Sequence, residues 1–230
     1  MIKYLFLDLD DTILDFNKAE DVAIRKTMAE RGLEPTDALV RRYSTLNDQL
    51  WKALERGELT RDQVVIGRFS AFFGEQGIEV DAPAVAHTYE IFLSQGHWFL
   101  PGAEETVKQK LFGRYQLYLA SNGTAVVQKG RMTSADLYPY FEESFVSEEL
   151  GHNKPSKEYF DAAIARIPGF RREECLMVGD SLTSDILGGK QAGIRTVWVN
   201  PGHKTAPEHL KPDYEIELLA DLPALLEEIE

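Results

Sequence analysis

The sequence predicts an α/β protein, with a Rossmann-like parallel sheet that carries helices on both faces and an inserted all-helical subdomain. Two observations lead to this prediction. From Pro101 onward, short apolar segments alternate with helical patterns, as in a parallel sheet. Between residues 16 and 97, helical patterns follow one another without an intervening strand. We therefore expect residues 1–15 and 98–230 to form the α/β core and residues 16–97 to form the helical subdomain.

The first strand is predicted at residues 3–9, an apolar run of the length and composition of a buried parallel strand. After Thr12, apolar residues recur at three- and four-residue spacing, which indicates helices. Glycine and proline residues interrupt this spacing and mark the helix ends. The predicted helices of the subdomain are residues 18–31, 36–56, 60–76 and 82–95.

The second half of the chain repeats the order of strand, helix and strand with short connections, which predicts one parallel sheet. The predicted strands are residues 116–120, 144–146, 175–178, 196–199 and 214–216. The predicted helices are residues 103–112, 125–135, 157–166, 184–192 and 222–229.

The composition is that of an acidic globular protein. Of the 230 residues, 43% are hydrophobic and 27% are charged, which are ordinary values for a folded domain. A net charge of -13 argues against a nucleic-acid polymer as partner, because phosphate backbones bind basic surfaces. Cys175 is the only cysteine, so an internal disulfide is excluded. With neither a signal-peptide pattern nor an apolar run of membrane-spanning length, we expect a cytoplasmic protein without a membrane partner.

Two carboxylates stand at the end of the first predicted strand. Residues i and i+2 of a strand point to the same side, so Asp8 and Asp10 would project together from its carboxyl end. That edge is where open α/β sheets bind ligands. Carboxylates this close repel one another unless a cation or a shared proton relieves the repulsion. The pair therefore indicates a magnesium site or an acid/base pair, with a solvated acidic turn as the alternative.

Further polar residues follow later predicted strands, and the carboxyl ends of parallel strands meet at one edge of a sheet. Ser121 and Asn122 precede a helix, and they could bind a phosphate there or simply cap the helix. Lys154 lies in a loop before another helix, either as a phosphate ligand or as a solvated lysine. Asp180 ends a strand, while Asp185 begins the next helix, where it could also complement the helix dipole.

In this order and at these positions, the residues resemble the signature of the haloacid dehalogenase superfamily of phosphatases. The four parts of that signature correspond to Asp8-x-Asp10-x-Thr12, Ser121, Lys154 and Gly179-Asp180-(x4)-Asp185. The resemblance covers nearly the whole chain, because the helices of residues 16–97 match the cap that the superfamily inserts after its first motif. It implies a phosphatase with an α/β core and a helical cap.

The resemblance also implies a role for each of these residues. Asp8 would be the nucleophile that forms an aspartyl-phosphate, and Asp10 would be the general acid and then the base. Lys154 would counter the charge of Asp8. The groups expected to hold the phosphoryl oxygens are Thr12, Ser121, the amide of Asn122 and Lys154. Magnesium is the expected cofactor, and its expected ligands are Asp8, the backbone carbonyl of Asp10, Asp180 and, directly or through water, Asp185.

A narrower resemblance concerns the substrate. The run Ser121-Asn122-Gly123 with Gln128 after it, and residues 147–155, are similar to bacterial 5'-nucleotidases that hydrolyse pyrimidine nucleoside monophosphates. The expected partner is therefore a small phosphorylated metabolite, bound by a monomer or a homodimer. Phosphoglycolate and sugar phosphates are alternative substrates. A haloacid dehalogenase is a further alternative, against which the presence of Asp10 argues, and the intact set of site residues argues against a non-catalytic phosphate sensor.

Overall fold

The computed structural model describes residues 1–229, and the chain in it divides into two compact units. One unit consists of Met1–Asp15 together with the chain from His97 onward. The other unit is Phe16–Gly96. The first unit contains the β-sheet, whereas the second consists of helices and their connections.

The unit of residues 16–96 owes its helices to capped ends and to an aromatic core. Thr36 and Asp81 cap two of the helices by accepting hydrogen bonds from backbone amides of the first turn. The rings of Tyr43, Phe69 and Tyr89 are fully buried and pack against one another, with centroids 5.3–5.8 Å apart. The helices are α1 (Phe16–Glu30), α2 (Asp37–Glu55), α3 (Arg61–Val65), α4 (Gly67–Glu75) and α5 (Ala82–Leu93).

A chain of buried polar side chains runs through this helical unit. Asn47 Nδ2 donates to Glu20 Oε1 at 2.8 Å, and Asn47 Oδ1 accepts from Arg68 Nη1 at 2.7 Å. The guanidinium of Arg68 also lies 4.8 Å from the centroid of the Tyr89 ring. The carboxylate and the guanidinium are thus linked through Asn47, in line with the need of buried charges for hydrogen-bonded partners.

The other unit is organised by a parallel sheet, which confirms the predicted fold class. Within residues 1–229, the sheet has six strands in the order β3-β2-β1-β4-β5-β6, and every neighbouring pair is parallel. The direction of the strand order reverses next to β1, which is where sheets of this kind leave a crevice for ligands. The strands are β1 (Tyr4–Leu7), β2 (Gln116–Ser121), β3 (Glu143–Val146), β4 (Cys175–Gly179), β5 (Arg195–Val199) and β6 (Tyr214–Ile216).

Both faces of the sheet are buried, which explains why the strands are continuous apolar runs. Leu5 and Leu7 of β1 belong to a hydrophobic cluster on one face, together with Met132 and other residues of the flanking helices. Tyr4 and Phe6 belong to a second cluster on the opposite face. Every residue of β1 is buried, so this strand is a rigid central support for the residues that follow it.

Helices cover the two faces of the sheet, and short 3₁₀ turns lie in the connections that precede or follow the strands. Within residues 1–229, no helix combines the length and the apolar character needed to cross a lipid bilayer. The helices are α6 (Ala103–Glu105), which continues as a π-helix (Thr106–Leu111), α7 (Ala125–Ser134), α8 (Ser147–Leu150), α9 (Lys157–Ile164), α10 (Leu187–Gln191), which follows a π-helix (Leu182–Ile186), and α11 (Leu222–Ile229). The 3₁₀ turns are Tyr138–Tyr140, Arg172–Glu174, Glu208–Leu210 and Leu219–Asp221.

Three of the predicted helices differ from the structure. The prediction of one helix at residues 60–76 is wrong, because the chain divides at Ile66 into α3 and α4. The β-branched run that ends at Ile66 and the glycine after it are poor helix formers, and they weaken the helix at this point. The predictions of regular α-helices at residues 103–112 and 184–192 are wrong in part, because both regions contain π-helical turns.

The first strand is also shorter than the predicted residues 3–9. It ends at Leu7, and a tight turn follows, in which the amides of Ile13 and Leu14 both donate to the carbonyl oxygen of Leu9. Asp11 adopts a left-handed conformation in this turn, with φ +55°. As a result, Asp8 still lies beside β4, where its amide donates to Val178, while Asp10 belongs to the turn.

Candidate active site

The polar residues predicted from the sequence lie at the carboxyl ends of three adjacent strands. Asp8 directly follows β1, Ser121 is the last residue of β2, and Asp180 directly follows β4. Because β2, β1 and β4 are neighbours in the sheet, these residues meet at one edge.

Three carboxylates form a cluster at this edge. Asp8, Asp180 and Asp185 each contribute an oxygen atom, and these atoms all lie within 4.8 Å of one another. Asp8 and Asp185 are buried, with 6% and 1% of their surfaces exposed. Carboxylate oxygens gathered in this way are the donor set that Mg²⁺ prefers, so the residues present fit a magnesium ion.

The electrostatics of the cluster also favour a bound cation. Burial, together with the nearby charges of Asp8, Asp185 and Asp11, raises the pKa of Asp180 well above its ordinary value. Burial likewise raises the pKa of Asp185, although Lys154 opposes the increase. Both shifts arise first from burial and then from the neighbouring carboxylates, and a divalent cation would favour the ionised forms.

Lys154 lies between two of these carboxylates and is almost completely buried. Its Nζ atom donates to Asp8 Oδ1 at 2.8 Å, to Asp185 Oδ1 at 2.6 Å and to the carbonyl oxygen of Ala120 at 2.6 Å. Burial disfavours the charged ammonium, but Asp185 and Asp8 outweigh this effect and raise the pKa of Lys154. An ammonium group has three hydrogen atoms, so binding a phosphoryl oxygen would require Lys154 to exchange one of these bonds.

Asp185 owes its place to the loop after β4. A Cβ atom built on Gly179 would lie 2.1 Å from Asp185 Oδ2, so a side chain at position 179 would displace the carboxylate. The amide of Ser181 donates to the same oxygen at 3.1 Å, and the Ser181 hydroxyl caps the following turn by accepting from Ser184. The glycine of the Gly179-Asp180 motif is thus required by the close approach of Asp185.

The Asn122 side chain has hydrogen-bond partners in the protein, whereas the Thr12 hydroxyl has none within residues 1–229. The side-chain amide of Asn122 makes two hydrogen bonds of 2.8 Å to the backbone of Lys154, so this side chain holds the lysine loop in place. The hydroxyl of Thr12 is fully buried and makes no hydrogen bond to any residue within 1–229. Because a buried hydroxyl without a partner is costly, Thr12 Oγ1 indicates a place for an external hydrogen-bond acceptor.

Asp10 contacts two residues that the sequence analysis did not assign to the site. Arg131 pairs with Asp10 Oδ1 through Nη1, and Gln128 Nε2 donates to Asp10 Oδ2 at 2.7 Å. Gln128 Nε2 also lies 2.7 Å from Ser121 Oγ, so it links Asp10 to the end of β2. Burial lowers the pKa of Arg131 to about 10, while the charge of Asp8 opposes the change.

The sequence contains a signal for these residues. Val127, Gln128, Arg131 and Met132 are the buried residues of α7, at the spacing of one helix face. Two of the four are polar, and a buried arginine needs a charged or hydrogen-bonded partner. A polar pair on the inner face of the helix after Ser121 therefore indicates a role near the carboxyl end of β2.

Comparisons with known proteins identify relatives of this chain in one family of hydrolases. The sequence profile of the haloacid dehalogenase-like hydrolases matches residues 2–193. The HAD-hydrolase YfnB of Bacillus subtilis is 41% identical over 96% of this chain and 94% of that protein. The pyrimidine 5'-nucleotidase PynA of Streptococcus pneumoniae is 39% identical over 96% of this chain and 93% of that protein. The pyrimidine 5'-nucleotidase YjjG of Escherichia coli is 29% identical and covers 97% of each chain.

The structural similarity extends over the same length. A crystal structure of YfnB bound to magnesium has a TM-score of 0.92 with this chain and covers 98% of this chain and 99% of that one. The match to the family profile, the identity to YfnB and the common fold support one conclusion. This chain belongs to the haloacid dehalogenase-like hydrolase family.

Proposed function

We propose that this protein is a magnesium-dependent phosphomonoesterase that hydrolyses nucleoside 5'-monophosphates, with a preference for pyrimidines. The observation that carries the proposal is the environment of Asp8. This carboxylate follows the central strand, binds the buried ammonium of Lys154 and belongs to a cluster with two further carboxylates. A carboxylate that attacks an anionic phosphate needs positive charge around it, and both Lys154 and a cation bound to the cluster would supply it.

The residues that would hold a Mg²⁺ ion are Asp8, Asp180, Asp185 and the backbone carbonyl of Asp10. Asp185 already accepts hydrogen bonds from Lys154 and from the amide of Ser181, so it would act directly or through a water molecule. When bound, the ion would neutralise part of the negative charge that the phosphate and the nucleophile bring together.

The reaction would proceed in two steps on Asp8. In the first step, a carboxylate oxygen of Asp8 forms a bond to phosphorus, the ester bond breaks, and the leaving oxygen takes a proton from Asp10. In the second step, water attacks phosphorus, Asp10 accepts a proton from that water, and the bond between Asp8 and phosphorus breaks. Inorganic phosphate leaves, and both carboxyl groups return to their initial states.

The phosphoryl oxygens would be held by groups at the same edge of the sheet. The buried Thr12 hydroxyl has no hydrogen-bond partner within residues 1–229 and would donate to one oxygen. The Ser121 hydroxyl and the backbone amide of Asn122 would bind the others. Lys154 would contribute mainly by balancing the charge of Asp8, and it would reach the phosphoryl group only by giving up one of its present bonds.

The relatives support a nucleotide substrate. PynA and YjjG, both named pyrimidine 5'-nucleotidases, are 39% and 29% identical to this chain over nearly its whole length. We infer that residues 16–96 form the cap and provide the residues that select the nucleoside.

The haloacid dehalogenase alternative shares the nucleophile but not the need for an acid. A halide ion leaves without a proton, so that reaction would have no use for Asp10. In this chain, the Asp10 carboxylate is bound by both Arg131 and Gln128. Two buried polar side chains that converge on Asp10 fit a reaction that uses this residue, and only the departure of an ester oxygen requires an acid there.

We expect activity to depend on Mg²⁺, because the carboxylate cluster would otherwise repel an anionic substrate. A chelator should abolish turnover, and Mg²⁺ should restore it. Because the pKa values of Asp180 and Asp185 are raised, protons compete with the cation, and the Mg²⁺ concentration for half-maximal activity should rise as the pH falls.

The matched variants for this measurement are Asp180→Asn and Asp48→Asn, the second at an exposed carboxylate that pairs with Lys52. Asp180→Asn should raise the required Mg²⁺ concentration by at least about tenfold, since even outer-shell partners contribute about 10- to 100-fold to metal affinity. Asp48→Asn should leave it unchanged. Full activity in excess chelator would contradict the metal assignment.

Lys154→Met should destabilise the protein and slow turnover, because it leaves Asp8 and Asp185 without their buried counterion. Breaking a buried ion pair on one side costs about 3–5 kcal/mol in free energy of unfolding. Lys157→Met is the control, because Lys157 is exposed and forms a surface pair with Asp161, for which we expect a loss of about 0–1 kcal/mol.

Urea unfolding followed by circular dichroism measures the stability of both variants, and the release of inorganic phosphate measures their turnover. Lys154→Arg keeps the charge and should retain more stability than Lys154→Met, which provides a folded variant for the kinetic comparison. Wild-type turnover in both Lys154 variants would show that this lysine has no part in the reaction.

A panel of substrates tests the proposed function itself. We expect kcat/KM for UMP, dUMP and dTMP to exceed that for AMP and GMP, because a closed pocket shaped for a pyrimidine would accommodate a purine poorly. Phosphoglycolate and a hexose phosphate complete the panel, with released phosphate as the readout. A clear preference for either of these two would overturn the nucleotidase assignment, whereas no turnover of any phosphomonoester would overturn the phosphatase assignment.

A further inference from the structure

Two polar side chains on the inner face of α7 point to a function that the signature residues do not explain. Gln128 and Arg131 are three positions apart in the sequence, so they lie on the same face of the helix. Both are buried, with 1% and 0% of their surfaces exposed. Burial of an amide and a guanidinium is costly unless they form hydrogen bonds. Both side chains find partners at the candidate active site, and only Gln128 Oε1 and Arg131 Nη2 of these groups are buried without a hydrogen bond to residues 1–229.

These two side chains bind both oxygens of the Asp10 carboxylate. Arg131 Nη1 contacts Oδ1, and Gln128 Nε2 lies 2.7 Å from Oδ2. Asp10 lies in the turn after β1, where its side chain is about one-quarter exposed (28%), so the strand itself does not fix its direction. The orientation of this carboxylate is therefore set by α7.

Gln128 also determines the direction of the Ser121 hydroxyl. Ser121 Oγ accepts a hydrogen bond from Gln128 Nε2 at 2.7 Å and another from the amide of Gly123 at 3.1 Å. A hydroxyl group has two acceptor positions and one proton. With both acceptor positions used, the proton of Ser121 is left to donate to a further acceptor, such as a phosphoryl oxygen.

The close approach of Gln128 depends on a glycine in the loop after β2. A Cβ atom on Gly123 would lie 2.3 Å from Gln128 Nε2, so a larger residue at position 123 would push the amide out of place. The glycine of the Ser121-Asn122-Gly123 run is therefore required by this contact.

We propose that Gln128 and Arg131 are positioning residues, which hold the Asp10 carboxylate in one orientation and, through Gln128, present the Ser121 hydroxyl as a donor. The inference rests on the proposed phosphatase function, because it assigns these residues to the acid/base and to a phosphate-binding group. Neither residue needs to contact the substrate. Arg131 acts through Asp10, whereas Gln128 acts through both Asp10 and Ser121.

The experiment compares Arg131→Met with Lys129→Met, which removes the same charge from the exposed face of the same helix. The substrates are p-nitrophenyl phosphate, whose leaving group needs no protonation, and an alkyl phosphate, whose leaving group does. The ratio kcat/KM reports the steps up to departure of the leaving group. Arg131→Met should lower it about 10- to 100-fold for the alkyl phosphate, part of the range that acid/base catalysis contributes, and far less for p-nitrophenyl phosphate.

A double-mutant cycle with Asp10→Asn separates positioning from a merely structural role. If Arg131 acts through Asp10, its substitution should have little further effect on kcat/KM in the Asp10→Asn background. Arg131→Lys retains the charge and should recover part of the activity toward the alkyl phosphate. Circular dichroism and thermal unfolding of each variant establish that the compared proteins are folded.

Inhibition by vanadate distinguishes the two residues. Gln128→Met should weaken vanadate binding by about threefold to tenfold, the equivalent of one hydrogen bond, because the Ser121 hydroxyl loses its fixed direction. Arg131→Met should leave vanadate binding unchanged, as should Lys129→Met.

The possible outcomes separate this inference from the proposed function. If the wild-type protein hydrolyses both substrates while Arg131→Met lowers the two kcat/KM values equally, or lowers neither, the inference is wrong and the proposed function stands. An additive double-mutant cycle also contradicts it. If the wild-type protein hydrolyses no phosphomonoester, the proposed function and the inference fail together.

Discussion

The site depends on one electrostatic constraint, the crowding of carboxylates at the buried carboxyl edge of a parallel sheet. Oxygen atoms of Asp8, Asp180 and Asp185 lie within 4.8 Å of one another, where burial and then mutual repulsion raise the pKa of Asp180 and Asp185. Lys154 offsets part of the negative charge. The remaining charge fits the binding of a divalent cation, and the proposed chemistry would use such a cation to bring an anionic substrate to an anionic nucleophile.

The fold meets this constraint by placing the site residues at the ends of buried, adjacent strands. β1 is buried along its whole length, and its neighbours β2 and β4 end at the same edge, so Asp8, Ser121 and Asp180 meet without a long loop. Glycines then permit the closest contacts. Gly179 leaves room for Asp185, and Gly123 leaves room for the side chain of α7 that binds Ser121.

Much of the fold follows from local patterns in the sequence, whereas the polar partners of Asp10 do not. The strands were predictable because a parallel sheet buried on both faces requires continuous apolar runs, and the signature carboxylates stand at their ends. Arg131 was not assigned, because helical spacing identifies its buried position but not the carboxylate that meets it from a turn 121 residues earlier. The break at Ile66 and the π-helical turns depend on local balances that periodicity does not resolve.

The most direct test of the account is to identify the phosphorylated residue during turnover. The Asp10→Asn variant, mixed with p-nitrophenyl phosphate and Mg²⁺ and quenched in acid, should accumulate the covalent intermediate, because the first step needs no acid with this leaving group and the second step lacks its base. Peptide mass spectrometry should find one phosphoryl group on Asp8, and none when Asp8→Asn is added. A phosphoryl group on another residue, or none while p-nitrophenol is released, would contradict the account.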